Sequence, residues 1–107
     1  MSHLSTHVLD ATTGRPAAGV PVTLIDDDGK TLASTVTDDD GRVADLYADA
    51  AAGVYRLRFD TSAYFTAQGV SGFYPEVVIA VEIIDAAGKY HVPLLLSPYA
   101  YSTYRGS

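Results

Sequence analysis

A chain of 107 residues with no cysteine and a formal charge of −6 has room for one domain around one modest core, and it excludes disulfides, thiolate catalysis and cysteine-based zinc sites. Its carboxylates gather at Asp26, Asp27, Asp28 and at Asp38, Asp39, Asp40 with no basic patch to offset them, so nucleic-acid phosphate and anionic membranes are disfavoured partners. The start lacks the charged and apolar regions of a signal peptide, and the longest apolar run, "VVIAVEII", is interrupted by Glu82 and too short to span a bilayer. The expectation is a soluble, cytoplasmic protein.

Along the chain, short segments rich in Val, Thr, Ile, Leu and Tyr recur between turn clusters, and no long stretch carries a 3.6-residue apolar period, so the reading is all-β. The expected strands are A (4–11), B (20–26), C (31–37), D (41–47), E (53–60), F (75–84), G (90–96) and H (99–105). Between them "TGRPAAG", "DDDGK", "DDDGR", "DAAGK" and "SP" supply Gly, Pro and Asp where a turn needs positive or fixed φ. One short helix is expected between E and F, in "TSAYFTAQG", with Thr61 or Ser62 as N-cap and Gly69 as its stop. Eight short strands in this length favour a two-sheet sandwich or a small barrel. Pro93 in G cannot donate to a ladder, so a bulge or an edge is expected there, and an edge invites a partner subunit.

The two Asp-rich turns do not fit an EF-hand. With Gly29 or Gly41 at the sixth position, the first ligand falls on Leu24 or Val36 and the twelfth on Thr35 or Tyr47, none of them a carboxylate. They read as solvated turns. No nucleophile elbow or phosphate loop is present. Two histidines make no zinc site without a third ligand, and nothing in the spacing supplies one, so neither a metal nor a cofactor is assigned.

The histidines are His3, His7 and His91. His3, beside the initiator, is expected to be mobile. His7 and His91 lie within otherwise apolar or hydroxylated strands, where a buried ionisable ring needs a hydrogen-bonded partner. Strand parity puts His7 on a face with Ser5 and Leu9, His91 with Pro93 and Leu95, and Tyr104 with Ser102 and Ala100, while Arg105 points the other way. The last nine residues hold Tyr99, Tyr101, Tyr104 and Arg105, an unusual investment for a terminus.

"LSTHVLDATTGRPAAGVPVTL", "TDDDGRV" and "YHVPLLLSPYAYSTYRGS" resemble the 5-hydroxyisourate hydrolases, the transthyretin-like enzymes of purine degradation, over residues 4–107. The closing Tyr104-Arg105-Gly106-Ser107 is the specific signal, since it separates these hydrolases from the transthyretin carriers of the same fold. The resemblance implies a single transthyretin-like domain over residues 1–107, with A, D, G and H in one sheet and B, C, E and F in the other. It also implies a homotetramer, a dimer of dimers whose G/H faces enclose a channel with the sites at the dimer–dimer interface. The catalytic positions it carries over are His7, Arg42, His91 and Ser107, and substrate contacts fall to Tyr104, Arg105, Gly106, Leu9, Pro93 and Ser102. The implied reaction is hydrolysis of 5-hydroxyisourate to 2-oxo-4-hydroxy-4-carboxy-5-ureidoimidazoline, on the route from urate to allantoin. His7 would be the general base and His91 a substrate holder or proton relay, though sequence does not decide which histidine takes the proton. Arg42 and Arg105 would bring positive charge. The Ser107 hydroxyl or its carboxylate would complete the polar shell. For Arg105 to reach the histidines, the tail must leave strand geometry, with Gly106 permitting the turn. One departure stands out: Lys89 occupies a position where the family often has His. The competing readings are a non-catalytic carrier of a hydrophobic ligand and a structural module of a surface protein.

Overall fold

The computed structural model describes residues 2–107. Two sheets face each other across an apolar core. The first joins β1 (His3–Asp10), β2 (Arg15–Pro16), β5 (Arg42–Ala48), β8 (Lys89–Ser97) and β9 (Ala100–Thr103), and the second runs β4 (Thr31–Val36), β3 (Pro21–Asp26), β6 (Gly53–Phe59), β7 (Val77–Ile83). The all-β sandwich and its split of A, D, G, H against B, C, E, F are as expected, with the two-residue β2 as a ninth strand beside the end of β1. The short helix α1 (Thr61–Ala67) lies between β6 and β7.

The pleat explains the layering. In β1, Leu4, Thr6, Val8 and Asp10 are buried inward while His3, Ser5, His7 and Leu9 face outward and stay half-buried. Leu4, Val8, Val22, Leu24, Leu57, Phe59, Val77 and Leu94 are fully enclosed between the sheets. The inward polar groups are all paired. Thr6 donates its hydroxyl to the Val92 carbonyl at 2.6 Å, and Tyr64 donates to Asp10 at 2.8 Å.

Three local expectations are corrected. The N-cap of α1 is Asp60, whose carboxylate accepts from the Ala63 amide, because Thr61 is buried with its hydroxyl donating to the Tyr74 carbonyl. His3 is the first residue of β1, with Nε2 2.7 Å from the Ala44 carbonyl and 3.4 Å from Asp45. Strand β8 is neither bulged nor an edge at Pro93: it pairs in parallel with β1 along its length and antiparallel with β9. Instead, the β9 ladder stops at Thr103 and resumes in the same register at His91↔Gly106. Pro93 faces the gap. It would exchange bonds with Tyr104 but has no N–H to give, and its carbonyl accepts the Thr103 hydroxyl at 2.7 Å.

Candidate active site

The outward face of the first sheet gathers the ionisable groups. Parallel pairing of β1 with β8 sets Ser5 beside His91 and His7 beside Pro93, and antiparallel pairing of β1 with β5 sets His7 beside Arg42. Leu9 pairs with Leu95, which in turn pairs with Ser102. The strands therefore bring His7, Arg42 and His91 together from segments far apart in sequence.

Arg42 owes its place to "DDDGR". The Asp38 carboxylate accepts from the Asp40 and Arg42 amides, each at 2.9 Å, which closes the turn on its own backbone. Asp26 does the same for Asp28 and Lys30 in "DDDGK". Gly41 has φ +73°, and a Cβ there would collide with the Val8 carbonyl of β1. Only glycine allows this approach, in which the Val8 amide donates to the Gly41 carbonyl at 2.7 Å and Arg42 follows directly beside His7.

His91 is held on three sides. Its Nδ1 lies 2.7 Å from the Ser5 hydroxyl, its carbonyl accepts the Gly106 amide at 2.9 Å, and the Gly106 backbone lies against its ring. Burial holds its pKa below the ordinary imidazole value, and the Arg42 guanidinium and His7 push the same way. A neutral ring can accept or pass a proton at neutral pH.

His91 borders a cleft of about 200 Å³ shared with His3, Ser5, Arg42, Lys89 and Ser107. The tail thus returns to the histidine face through Gly106 and Ser107. Tyr104 and Arg105 line a second cleft, of about 310 Å³, together with Ile79, Val81, Glu82, Tyr90 and His91, so that His91 borders both clefts. The Arg105 guanidinium stacks 4.6 Å above the Tyr90 ring and donates to the Lys89 carbonyl at 3.3 Å. The expectation of a turn out of strand geometry at Gly106 is corrected. Gly106 has no left-handed φ, and Arg105 keeps the opposite direction that strand parity gives it.

Ser5, placed on the His7 face but given no role, and His3, expected to be mobile, both belong to the cleft. Parity with His7 was the available signal for each, and only the β1–β8 register adds the contact of Ser5 with His91. No three His, Asp or Glu side chains converge in a metal-binding arrangement among the described residues.

A transthyretin-type sandwich with a histidine–arginine face on its outer sheet is the class that fold and site define. The chain belongs to the HIUase/Transthyretin family, whose family model matches residues 4–106. Among its relatives, the 5-hydroxyisourate hydrolase of Salmonella typhimurium is 48% identical, over 97% of this chain and 80% of the relative. The solved structure of Klebsiella pneumoniae 5-hydroxyisourate hydrolase superposes with a TM-score of 0.93 at 42% identity, covering all of both chains. Sea bream transthyretin in complex with thyroxine superposes with a TM-score of 0.90 at 34% identity, covering 96% of this chain and 93% of that one.

Proposed function

We propose that this chain is an enzyme of urate degradation that hydrolyses 5-hydroxyisourate to 2-oxo-4-hydroxy-4-carboxy-5-ureidoimidazoline, as one domain over residues 1–107, in the cytoplasm. Near-full-length similarity to proteins named as that hydrolase supports the activity. The observation that carries the assignment of the site is the single cleft shared by Arg42, His91 and Ser107 next to His7.

The reaction adds water across a cyclic amide. Water oxygen bonds to the ring carbonyl carbon, the C–N bond breaks, and the released nitrogen takes a proton. His7 takes the proton from water, and His91 holds the substrate or relays a proton toward the leaving nitrogen. The Arg42 guanidinium, with planar donors matched to a heterocycle's oxygens, stabilises the developing oxyanion. Lys89 adds positive charge at the same cleft. Leu9, Pro93 and Ser102 form the neighbouring surface of the sheet, against which the substrate lies. Gly106 and Ser107 close the cleft, and Arg105, anchored on Tyr90, holds the tail so that they can.

A carrier of hydrophobic ligands would need a long apolar pocket. The cleft lining of His3, Ser5, Arg42, Lys89, His91 and Ser107 contains no apolar side chain, which favours the hydrolase. The further reading is a homotetramer, a dimer of dimers that faces these clefts into a shared channel. It is supported by the exposed edge strand β9 and by Phe73, Tyr99, Tyr101 and Tyr104, all left open to solvent beside it.

The test is the decay of freshly generated 5-hydroxyisourate followed by absorbance with and without the protein. His7→Ala and His91→Ala are expected to lower turnover by about 10² to 10⁴, and Arg42→Ala by about 10² to 10³. Wild-type turnover in any of the three removes that residue from the mechanism. Activity is expected to survive exhaustive chelation, and loss restored by zinc would replace this scheme with a Lewis-acid one.

A further inference from the structure

We infer that Ser5 is the positioning residue of His91: its hydroxyl holds the imidazole at Nδ1 in either tautomer and leaves Nε2 free to gain or lose a proton in the cleft. This rests on the hydrolase reading above. The contact is 2.7 Å and spans two strands, fixed by the parallel register that pairs Ser5 with His91. On the other side of β1 the register with β5 shifts between Leu4 and Thr6, so Ala44, Asp45 and Leu46 of β5 stand against Ser5 alone. The Ser5 side chain has no other hydrogen-bond partner among the described residues, and neither has Nε2 of His91.

A hydroxyl both donates and accepts. When Nδ1 carries the proton, the Ser5 oxygen accepts it; when Nδ1 is a bare lone pair, the Ser5 O–H donates. The ring keeps its orientation through a proton transfer at Nε2 followed by a change of tautomer, as a relay requires. A carboxylate in that place could only accept, which would lock the Nδ1–H tautomer and favour the imidazolium. Serine adds no charge. The charged or titratable groups around His91 are then His3 and His7 from β1, Arg42 from β5, Glu82 from β7, Lys89 and Tyr90 on its own strand, and Tyr104, Arg105 and the carboxylate of Ser107 in the tail.

Three variants separate positioning from mere structure. Ser5→Ala removes the partner, Ser5→Thr keeps the hydroxyl, and Ser5→Asp replaces it with a fixed acceptor. All three change the outward face and leave the core intact. Nitrogen NMR of the His91 ring across pH, in the free protein, is read beside kcat and KM for 5-hydroxyisourate. We expect Ser5→Ala to lower kcat about ten- to a hundredfold with KM little changed, and to shift the His91 nitrogen signals. Ser5→Thr should restore both. Ser5→Asp should raise the His91 titration midpoint by about one unit or more. Wild-type kcat in Ser5→Ala, or His91 signals that ignore all three variants, would overturn the inference. Shifted signals in a protein whose wild type does not turn over 5-hydroxyisourate would sink the hydrolase reading and the catalytic use of Ser5 with it, leaving the Ser5–His91 coupling as a structural fact.

Discussion

Gly106 meets His91 so closely that a Cβ on it would sit 2.5 Å from Cδ2 and 3.2 Å from Cγ of the ring. Real Cβ atoms do not approach that near, so Gly106→Ala must displace the imidazole or the tail. Displacements on the order of 1 Å in a group of the proposed site cost about 10² in rate. The expected result is a large fall in kcat, and a variant with wild-type kcat would show that His91 tolerates movement. Linkage adds a second residue-scale expectation. Because the folded state holds the His91 pKa below 6.5, the unfolded chain binds that proton first, and this residue's contribution to stability is lost as pH falls from about 6.5 downward. His91→Gln should flatten that part of the stability profile in urea titrations across pH.

Among the elements, α1 shows how a two-turn helix is secured. It is too short to persist alone and relies on Asp60 as a cap and on Tyr64 and Phe65 packed beneath it. Tyr64 also ties the helix to the end of β1 through Asp10, whose other oxygen accepts from the Thr12 and Thr13 amides. Burial, reinforced by the Asp10 carboxylate, pushes the Tyr64 phenol up to about 12. Its folded pKa lies above the unfolded value of 10.0, so the unfolded chain releases that proton first and stability is lost as pH rises above about 10. Tyr64→Phe leaves Asp10 short of a partner and is expected to cost about 1–3 kcal/mol in urea unfolding, with turnover retained because the helix lies away from the histidine face. An unchanged unfolding midpoint would mean that the helix is held by packing alone.

For the whole molecule, the proposed site lies on the outer sheet face, and the end of the tail reaches the same cleft. Residues added after Ser107 would enter the cleft shared with Arg42 and His91. A short Gly-Ser extension should therefore fold and assemble like the wild type yet lose most activity, and deletion of Tyr104 to Ser107 should do the same by emptying the site. Sedimentation velocity on both reports assembly independently of turnover. A homotetramer is expected in each, and a fully active monomer would be incompatible with the proposed channel. Wild-type activity in the extended chain would place the end of the tail outside the site.

Period-two alternation and turn chemistry are local properties, so the sequence by itself determined the all-β class, the strand positions to within a few residues, the outward set of Ser5, His7 and Leu9, and the opposite direction of Arg105. Tertiary structure decided what meets what. The contact of Ser5 with His91 depends on a parallel register between strands more than eighty residues apart, which no local pattern encodes. The N-cap, expected at Thr61 or Ser62, is Asp60, and Tyr74, thirteen residues away, claims the Thr61 hydroxyl. Gly106 proved necessary for its closeness to an imidazole and not for its φ, and a glycine's neighbours cannot be read before the chain is folded. Pro93 was legible as a missing donor. That the ladder skips it in register, without a bulge, was settled by the strands on either side.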